Sequence, residues 1–384
     1  MSTRRARTGA PRAPMPDDDP LSNEAGLTII GVGPAALACA LWRARHERVF
    51  VTPPLKAASQ ADARWIEAVP MKSIAELVEL GVHPHDLGVR EFVRTRAIAW
   101  RSPEPEIIDT APAAHLERPA LERALLALAI RNRRIEFLPR RAPAWPAEQD
   151  STHRRRESRI VDASGRRAVA ATHVYRCRRP WVARTFAIDC DARRAIAPLM
   201  VAALPHGYLY RAAGAHFTTI GIVGRGHMLA GSGAEVCERL LNGAARWAVA
   251  DLATRTWHCT GSRPASMQWA EFGNAVAIGD AAFARDALSS QGLASSLTDA
   301  RYAALIETDD DCRTLAMRSR LARDTHAASL LRMLREVWCT SEHWRQYQAE
   351  LGSLRVAVRS APTQSAERMI RKSVGREATP GTPI

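Results

Sequence analysis

The chain has 384 residues, of which 46% are hydrophobic and 24% charged, with a formal net charge of +14. That length holds roughly two to three domains of ordinary size. The composition excludes a disordered chain, a collagen and a coiled coil, and no segment reaches the ~18–20 uninterrupted apolar residues of a membrane span.

Residues 1–26 are rich in Arg, Pro, Ser and Asp and read as a disordered tail; no apolar stretch follows the Arg4-Arg5 pair to make a secretory signal. Leu27–Ile30 is a short apolar strand ending at Gly31. Pro34–Ala44 is Ala-rich and apolar around its circumference, a buried helix with proline in its first turn, where a missing N–H costs nothing. Arg48–Val51 is a second strand. Strand, glycine turn, helix and strand in this order predict the start of a parallel sheet, and hence an α/β, Rossmann-like unit. Residues 66–81 predict a helix after Pro70 that ends at Gly81, and residues 116–130 predict another around Pro119. Residues 140–158 lack periodicity and read as a loop. Over 181–224 the pattern changes to short strand-like runs broken by Pro205, Gly207 and Gly214, which predicts an antiparallel sheet. Ala275–Ile278 is a further buried strand. From Leu293, apolar residues recur at Leu297, Ala300 and Ala304 on one helix face. Residues 310–360 are mostly helical, and the last ~20 read as a tail. The expected organisation is a discontinuous cofactor domain over 27–170 and 260–310, an antiparallel-sheet substrate domain over 171–259, a helical region over 311–364 and a tail over 365–384.

Two glycine motifs carry the chemistry. Gly31-Val32-Gly33-Pro34-Ala35-Ala36 fits G-x-G-x-x-[G/A] between a strand and a helix. The first glycine permits a tight turn, the second lets backbone approach a pyrophosphate, and the small Ala36 permits close helix–strand packing. The helix start offers free N–H groups and the positive end of its dipole. The acidic residue expected about 20 positions on is missing. Thr52 stands there and offers one weaker hydrogen bond. The second motif is Asn274–Leu293, where a strand ends in Gly279-Asp280 and Gly292 opens a helix twelve residues later.

This pair of motifs resembles FAD-dependent aromatic hydroxylases of the p-hydroxybenzoate hydroxylase type and flavin-dependent tryptophan halogenases. The resemblance implies non-covalent FAD, with Asp280 on the ribityl chain and the helix that follows Ser290, Gln291, Gly292 and Leu293 aimed at the flavin's pyrimidine edge. It also implies a cofactor contact by Arg118 in Leu116–Leu121 and a turn beside the cofactor at Asp162–Arg166. Glu67-Ala68-Val69-Pro70 resembles the family's loop near the flavin ring, and Trp338 with His343-Trp344-Arg345 its C-terminal aromatic helix. Halogenases of this family carry a lysine four residues beyond the proline. Here that position is Ile74, and Lys72 lies about 200° around a helix from it. Tyr208 and Tyr210 stand where halogenases carry two tryptophans, so these two are candidate substrate residues and halogenation is not expected.

Asp286–Leu293 resembles the LodB-like and QhpG-like flavoproteins, which modify tryptophan side chains in a partner protein during quinone-cofactor maturation. The activity implied is monooxygenation: reduced FAD activates O₂, and oxygen is delivered to an electron-rich ring. Glu67, His206 and His227 are candidates for removing the ring proton. The electron donor is NAD(P)H or a separate reductase. The alternatives are a hydroxylase of small aromatic molecules and a flavin-fold escort without activity.

Of the basic residues only Lys56, Lys72 and Lys372 are not arginine. The arginines are spread along the chain, which fits either a coding bias or an acidic protein substrate. No zinc-finger spacing, basic zipper or RNA motif points to a metal or to nucleic acid. Seven cysteines at long spacings predict free thiols in a reducing cytoplasm.

Overall fold

The computed structural model describes residues 26–53, 64–89, 92–138, 159–176, 181–189, 196–225, 229–272, 275–289 and 291–356. The predicted loop at 140–158, the C-terminal tail, His227 and Ser290 lie outside the described residues.

The first elements are β1 (Leu27–Ile30), α1 (Pro34–Arg43), β2 (Val49–Thr52), β3 (Ile66–Pro70), α2 (Met71–Glu79), β4 (Phe92–Ala99) and β5 (Glu106–Glu117). They are followed by α3 (Arg118–Arg131), β6 (Ile135–Phe137), β7 (Ile160–Asp162), β8 (His173–Arg176) and β9 (Val182–Ile188). Next come β10 (Leu199–Leu204), β11 (Gly207–Ala213), β12 (Thr218–Gly224), α4 (Gly233–Leu241), α5 (Arg246–Val249), β13 (His258–Pro264) and β14 (Gln268–Glu271). The chain closes with β15 (Val276–Ala277), α6 (Asp280–Phe283), α7 (Gly292–Ala304), α8 (Asp309–Arg335) and α9 (Glu342–Val356).

A five-stranded sheet of order β15-β7-β1-β2-β6 is parallel throughout. Parallel strands need cover on both faces, and α1 supplies it from a sequence with almost no polar residue. Every residue from Ala36 to Arg43 is buried, packed between the sheet, α3 and α7. The predicted stripe on α7 is observed: Leu293, Leu297, Ala300 and Ala304 are all buried. The long α8 begins at a capping box, in which Thr308 and Asp311 satisfy each other's backbone N–H groups.

The second sheet has eight strands in the order β13-β9-β12-β11-β10-β4-β5-β3. The predicted antiparallel pairing over 181–224 holds from β9 through β12. The boundary expected at residue 170 does not hold for this sheet. β3, β4 and β5, read as part of the cofactor domain, extend it through a parallel β10–β4 pair in which Leu199 lies opposite Arg96. That pairing joins segments about a hundred residues apart, and no local periodicity encodes it. The helix expected from 116 likewise begins at Arg118, because β5 runs on through Glu117 to pair with Ile66. β8, expected in the substrate domain, pairs with β14 in a two-stranded sheet.

One face of the large sheet is sealed by α4 and α5, with Ala97, Ala99, Phe186, Met200, Leu209, Ile220 and Ile222 in that core. The other face looks towards the parallel-sheet unit. There Ala183, Ala203, Tyr208 and Val223 join Trp100, Trp181, Phe283, Trp344 and Tyr347 in an aromatic core. Among the described residues no helix is long and apolar enough to cross a membrane.

Candidate functional site

The turn after β1 is made by backbone meeting backbone. Gly31 has φ +132°, and its N–H donates to the Thr52 carbonyl at 2.9 Å. A Cβ at Gly31 would overlap the Ala163 carbonyl oxygen of the neighbouring β7 turn. Gly33 is different. It caps α1 with φ −79°, no side chain caps the helix, and nothing lies within 4 Å of where its Cβ would stand. Pro34 begins α1, so the first free N–H groups of the helix belong to Ala35 and Ala36. Beside this turn, at the end of β2, the Thr52 hydroxyl is buried with no hydrogen-bond partner among the described residues. A buried, unsatisfied hydroxyl is costly. Together with the open approach to Gly33, it fits a site built for a hydroxyl- and phosphate-bearing ligand.

The second glycine motif closes on the first. Gly279 has φ +58°, and a Cβ there would press on Ala35 of α1 and on Ser296 of α7. Its N–H donates to Asp299 of α7 at 3.3 Å. The starts of α1 and α6 and the first three turns of α7 are thereby held together. Asp280 opens α6 with its side chain 43% exposed, as expected for a group lining an open cleft. Burial raises its pKa, Arg166 and Arg118 act against that rise, and Glu67 adds to it. Arg166 stands 3.8 Å from the Asp280 carboxylate and donates to the carbonyls of Ser266 at 2.6 Å and Arg285 at 3.0 Å. Arg118 donates to Glu67 at 2.7 Å and Glu122 at 2.8 Å. Burial works against its charge, but the two glutamates prevail and its pKa is raised.

Further along the same loop is Asp286, 1% exposed. Its carboxylate accepts hydrogen bonds from the Tyr208 hydroxyl at 3.2 Å, the Leu288 N–H at 2.9 Å and the Tyr347 hydroxyl. Its own N–H donates to His326 Nε2 at 3.4 Å. Burial raises the Asp286 pKa, and the hydrogen bonds from Tyr347, Leu288 and Tyr208 limit the rise. Burial, then the neighbouring Asp286 charge, pushes the Tyr208 hydroxyl well above its usual value, so it remains a donor. Asp286 thus ties the cofactor-side loop to β11 and α9.

Between that aromatic core and the Ala187–Ala212–Phe217 cluster, the sheet face changes character. Arg96, Ile98, Leu199, Val201 and Tyr210 are only half-buried. Ile98 is in register with Val201, and Val201 with Tyr210. Ile98, Val201 and Tyr210 border the same aromatic core as Ala287 and Leu288 of the cofactor-side loop. This half-buried stretch of sheet face, apolar but for one arginine, is the candidate wall of a substrate chamber.

The fold therefore brings together Gly31, Gly33, Pro34, Ala35, Ala36, Thr52, Gly279 and Asp280, with Arg118 and Glu67 beside them. Leu293 is buried in the core beneath, while Gln291, which precedes α7, is exposed and Gly292, its first residue, is half-buried. Asp162 is placed differently from its expected cofactor contact. It is fully buried, and its two oxygens accept from the N–H groups of Ser164 at 2.9 Å and Ala170 at 2.8 Å, so its carboxylate closes its own turn. Tyr208 is 1% exposed inside the aromatic core, so only Tyr210 of the two tyrosines reaches the chamber wall. Glu67 and His206 are not brought together. Glu67 is on β3, near the Ala213 end of β11, whereas His206 is exposed in the turn before Gly207, beside His343. Ile74, at the halogenase lysine position, is 4% exposed in the core, and Lys72 is exposed. Sequence reasoning missed Arg96, Arg166, Asp286 and Tyr347. Two of them carried a signal, Arg166 as the last residue of the DASGR turn and Asp286 as the first residue of the Asp286–Leu293 motif, but neither motif gave the residue a role.

No protein-family model matches this sequence, and no curated protein sequence matches it. The fold does match solved structures. A peptidyl tryptophan dihydroxylase, QhpG, essential for tryptophylquinone cofactor biogenesis, superposes with TM-score 0.61 at 19% identity, covering 84% of this chain and 78% of that one. PqsL, a probable FAD-dependent monooxygenase from Pseudomonas aeruginosa, gives TM-score 0.63 at 16% identity over 86% of this chain and 100% of that one. The myxobacterial chondrochloren halogenase CndH, a variant FAD-dependent halogenase, gives 0.59 at 17% identity over 92% and 90%. This chain has the fold of FAD-dependent monooxygenases and halogenases.

Proposed function

We propose that this protein is an FAD-dependent monooxygenase that adds oxygen to an electron-rich aromatic ring, and that its substrate is a tryptophan side chain held in a partner protein. The observation that carries the flavin assignment is the close approach of the Gly279–Asp280 turn to the Gly31–Gly33 turn and α1 on one side and to Ser296 and Asp299 of α7 on the other.

In this reading the N–H groups at the start of α1 receive the pyrophosphate, assisted by the helix dipole. Thr52 satisfies its hydroxyl on the adenosine ribose. Asp280 accepts from the ribityl hydroxyls, with Arg118 and Arg166 setting its charge environment. The start of α7 faces the flavin's pyrimidine edge and stabilises the negative charge that reduction places there. Bound FAD supplies O₂ activation, with electrons from NAD(P)H or from a separate reductase. Tyr210, Ile98 and Val201 form the apolar wall that orients the ring and keeps water out. Glu67 is held by Arg118 and Trp65, so its role here is to anchor Arg118.

The partner-protein substrate is supported by the Asp286–Leu293 resemblance and by the likeness to a peptidyl tryptophan dihydroxylase. The net charge of +14 favours an acidic partner, with association slowing as salt rises. The described cysteines Cys39, Cys237, Cys259, Cys312 and Cys339 are all free, in keeping with a reducing cytoplasm.

The test is reconstitution with FAD, a flavin reductase, O₂ and a candidate quinoprotein precursor, followed by intact mass. The expected product carries one or two added oxygen atoms on tryptophan. A protein that stays colourless with excess FAD would be an escort. Turnover of free phenols or indoles with the precursor untouched would make it a small-molecule hydroxylase.

A further inference from the structure

The chamber wall contains a charge that no described residue pairs with. Arg96 lies on β4, where burial alternates: Ala97 and Ala99 enter the core under α4 and α5, and Arg96 and Ile98 take the opposite, cofactor-facing side. Its register neighbours are Leu199 on β10 and Ile108 on β5, both apolar. Its Nε is buried without a hydrogen-bond partner, and among the described residues no carboxylate pairs with it. Burial alone lowers its pKa, with no neighbouring acid to offset the effect. The other buried arginine of this sheet shows the usual arrangement: Arg211 faces the opposite way and is held by Asp251 through two hydrogen bonds of 2.6 and 2.8 Å.

A half-buried guanidinium without a counter-ion is unfavourable in the protein alone. It becomes favourable when a ligand supplies the missing anion, and guanidinium geometry suits a carboxylate, which it can bind through two parallel N–H bonds. We infer that Arg96 is a specificity residue of the chamber, binding a carboxylate carried by the aromatic substrate. This rests on the proposed function for the identity of the chamber and deepens it. The carboxylate has two possible sources with the same chemistry, the acid group of a free aromatic acid and an acidic residue next to the target tryptophan in a polypeptide.

The experiment is a binding titration, without turnover, on the FAD-loaded protein, using two matched pairs of probes. One pair is indole-3-propionate and its uncharged amide. The other is a blocked Glu-Trp peptide and the same peptide with Gln. The expected result is that the carboxylate member of one pair binds ten- to a hundred-fold tighter, in line with a charge-assisted hydrogen bond. Arg96→Gln should abolish that preference, and Arg96→Lys should retain part of it. A preference within the indole-3-propionate pair assigns the free acid, and one within the peptide pair assigns the polypeptide. Because Arg96 is unpaired, Arg96→Met should also melt no lower than the parent without ligand, whereas removal of a structural arginine would lower the melting temperature.

The inference is overturned if neither pair shows a preference, or if Arg96→Gln keeps it. The titration can be repeated on protein without FAD. Failure to retain flavin would then count against the proposed function, while the acid-against-amide difference would still report on Arg96.

Discussion

Around Gly31 the chain is built from small residues that let backbone approach backbone. Around Tyr208 it is built from large rings that hold backbones apart. In the first region there is no room for a methyl group at Gly31 or Gly279, and the hydrogen bonds of both turns come from main-chain N–H groups. In the second, Trp181 packs on Tyr347 with ring centroids 4.1 Å apart and on Trp344 at 5.3 Å, and Trp100 meets Trp344 at 5.5 Å. There the polar connections are side-chain hydroxyls on a buried carboxylate. Where main chain meets main chain, as at Gly31, the turn tolerates no side chain, but it is readable from a short motif. A core made of rings tolerates repacking, but only the folded chain shows which rings meet.

The largest expected effect separates two glycines of one turn. Gly31→Ala puts a side chain at φ +132° against a backbone carbonyl and should cost about 3–5 kcal/mol. Gly33→Ala meets nothing within 4 Å and has an ordinary φ, so its stability should stay within about 0.5 kcal/mol of the parent. Its FAD affinity should nevertheless fall by about tenfold or more, because the added methyl stands where a pyrophosphate approaches. Urea unfolding and flavin titration read the two outcomes. A stable, flavin-binding Gly31→Ala would remove the backbone contact from the explanation.

The next test sets one buried group from each region against the other. Burial, then Arg285, lowers the His326 pKa from 6.5 to about 4. The unfolded chain therefore takes up that proton first as pH falls, and the stability this site contributes above pH 6.5 is lost on the way to pH 4. Burial raises Asp299 from 3.8 to about 6, with Arg285 and the Gly279 N–H acting against the rise. Its ionisation costs stability above pH 6, and the cost disappears as pH falls towards 3.8. Each term is about 3 kcal/mol. Relative to the parent, His326→Gln should gain stability between pH 6.5 and 4. Asp299→Asn should be the more stable protein at pH 7 and lose that advantage by pH 4. Unfolding free energies measured at a series of pH values check both, and parallel profiles for parent and variants would contradict the assignment.

Asp280, at the start of α6, sharpens the comparison from the cofactor side. Asp280→Ala should weaken FAD binding by about ten- to a hundred-fold, the loss of one charge-assisted bond of about 1.5–3 kcal/mol, with little change in melting temperature. Unchanged affinity in the folded variant would remove Asp280 from the flavin site.

The smallest expected signal is none at all. With Ile74 in the core and Lys72 in solvent, incubation of the flavin-loaded protein with a reductase, O₂, tryptophan peptides and chloride or bromide should give no halogenated product. An isotope pattern of chlorine or bromine by mass spectrometry would reverse that reading.

Much of the first region was legible in the linear sequence. The G-x-G-x-x-A turn, the Ala-rich helix after Pro34, the strand at Val49–Thr52 and the Leu293–Ala304 stripe all use residues close in the chain. Their spacing states the period of the element. The missing carboxylate after β2 was legible too. That the Thr52 hydroxyl is buried without a partner was not, because burial depends on what packs over it. In the second region, periodicity found the β9–β12 strands but not β3, β4 and β5 beside them.

What the linear order of residues determined by itself is the parallel-sheet unit with its two glycine turns. There each requirement is local: a positive φ, a small side chain, a proline at a helix start. What only the tertiary structure decided is which side chains face the chamber. Asp286 opens a motif in the linear sequence, but that its carboxylate is buried under Tyr208 and Tyr347, 78 and 61 residues away, is shown only by the fold. Arg96 reads as one more arginine among many until the β4–β10 pairing turns it towards the cofactor side. A strand's alternation separates two faces but does not say which face meets which neighbour, and that choice is made by contacts between residues far apart in the chain.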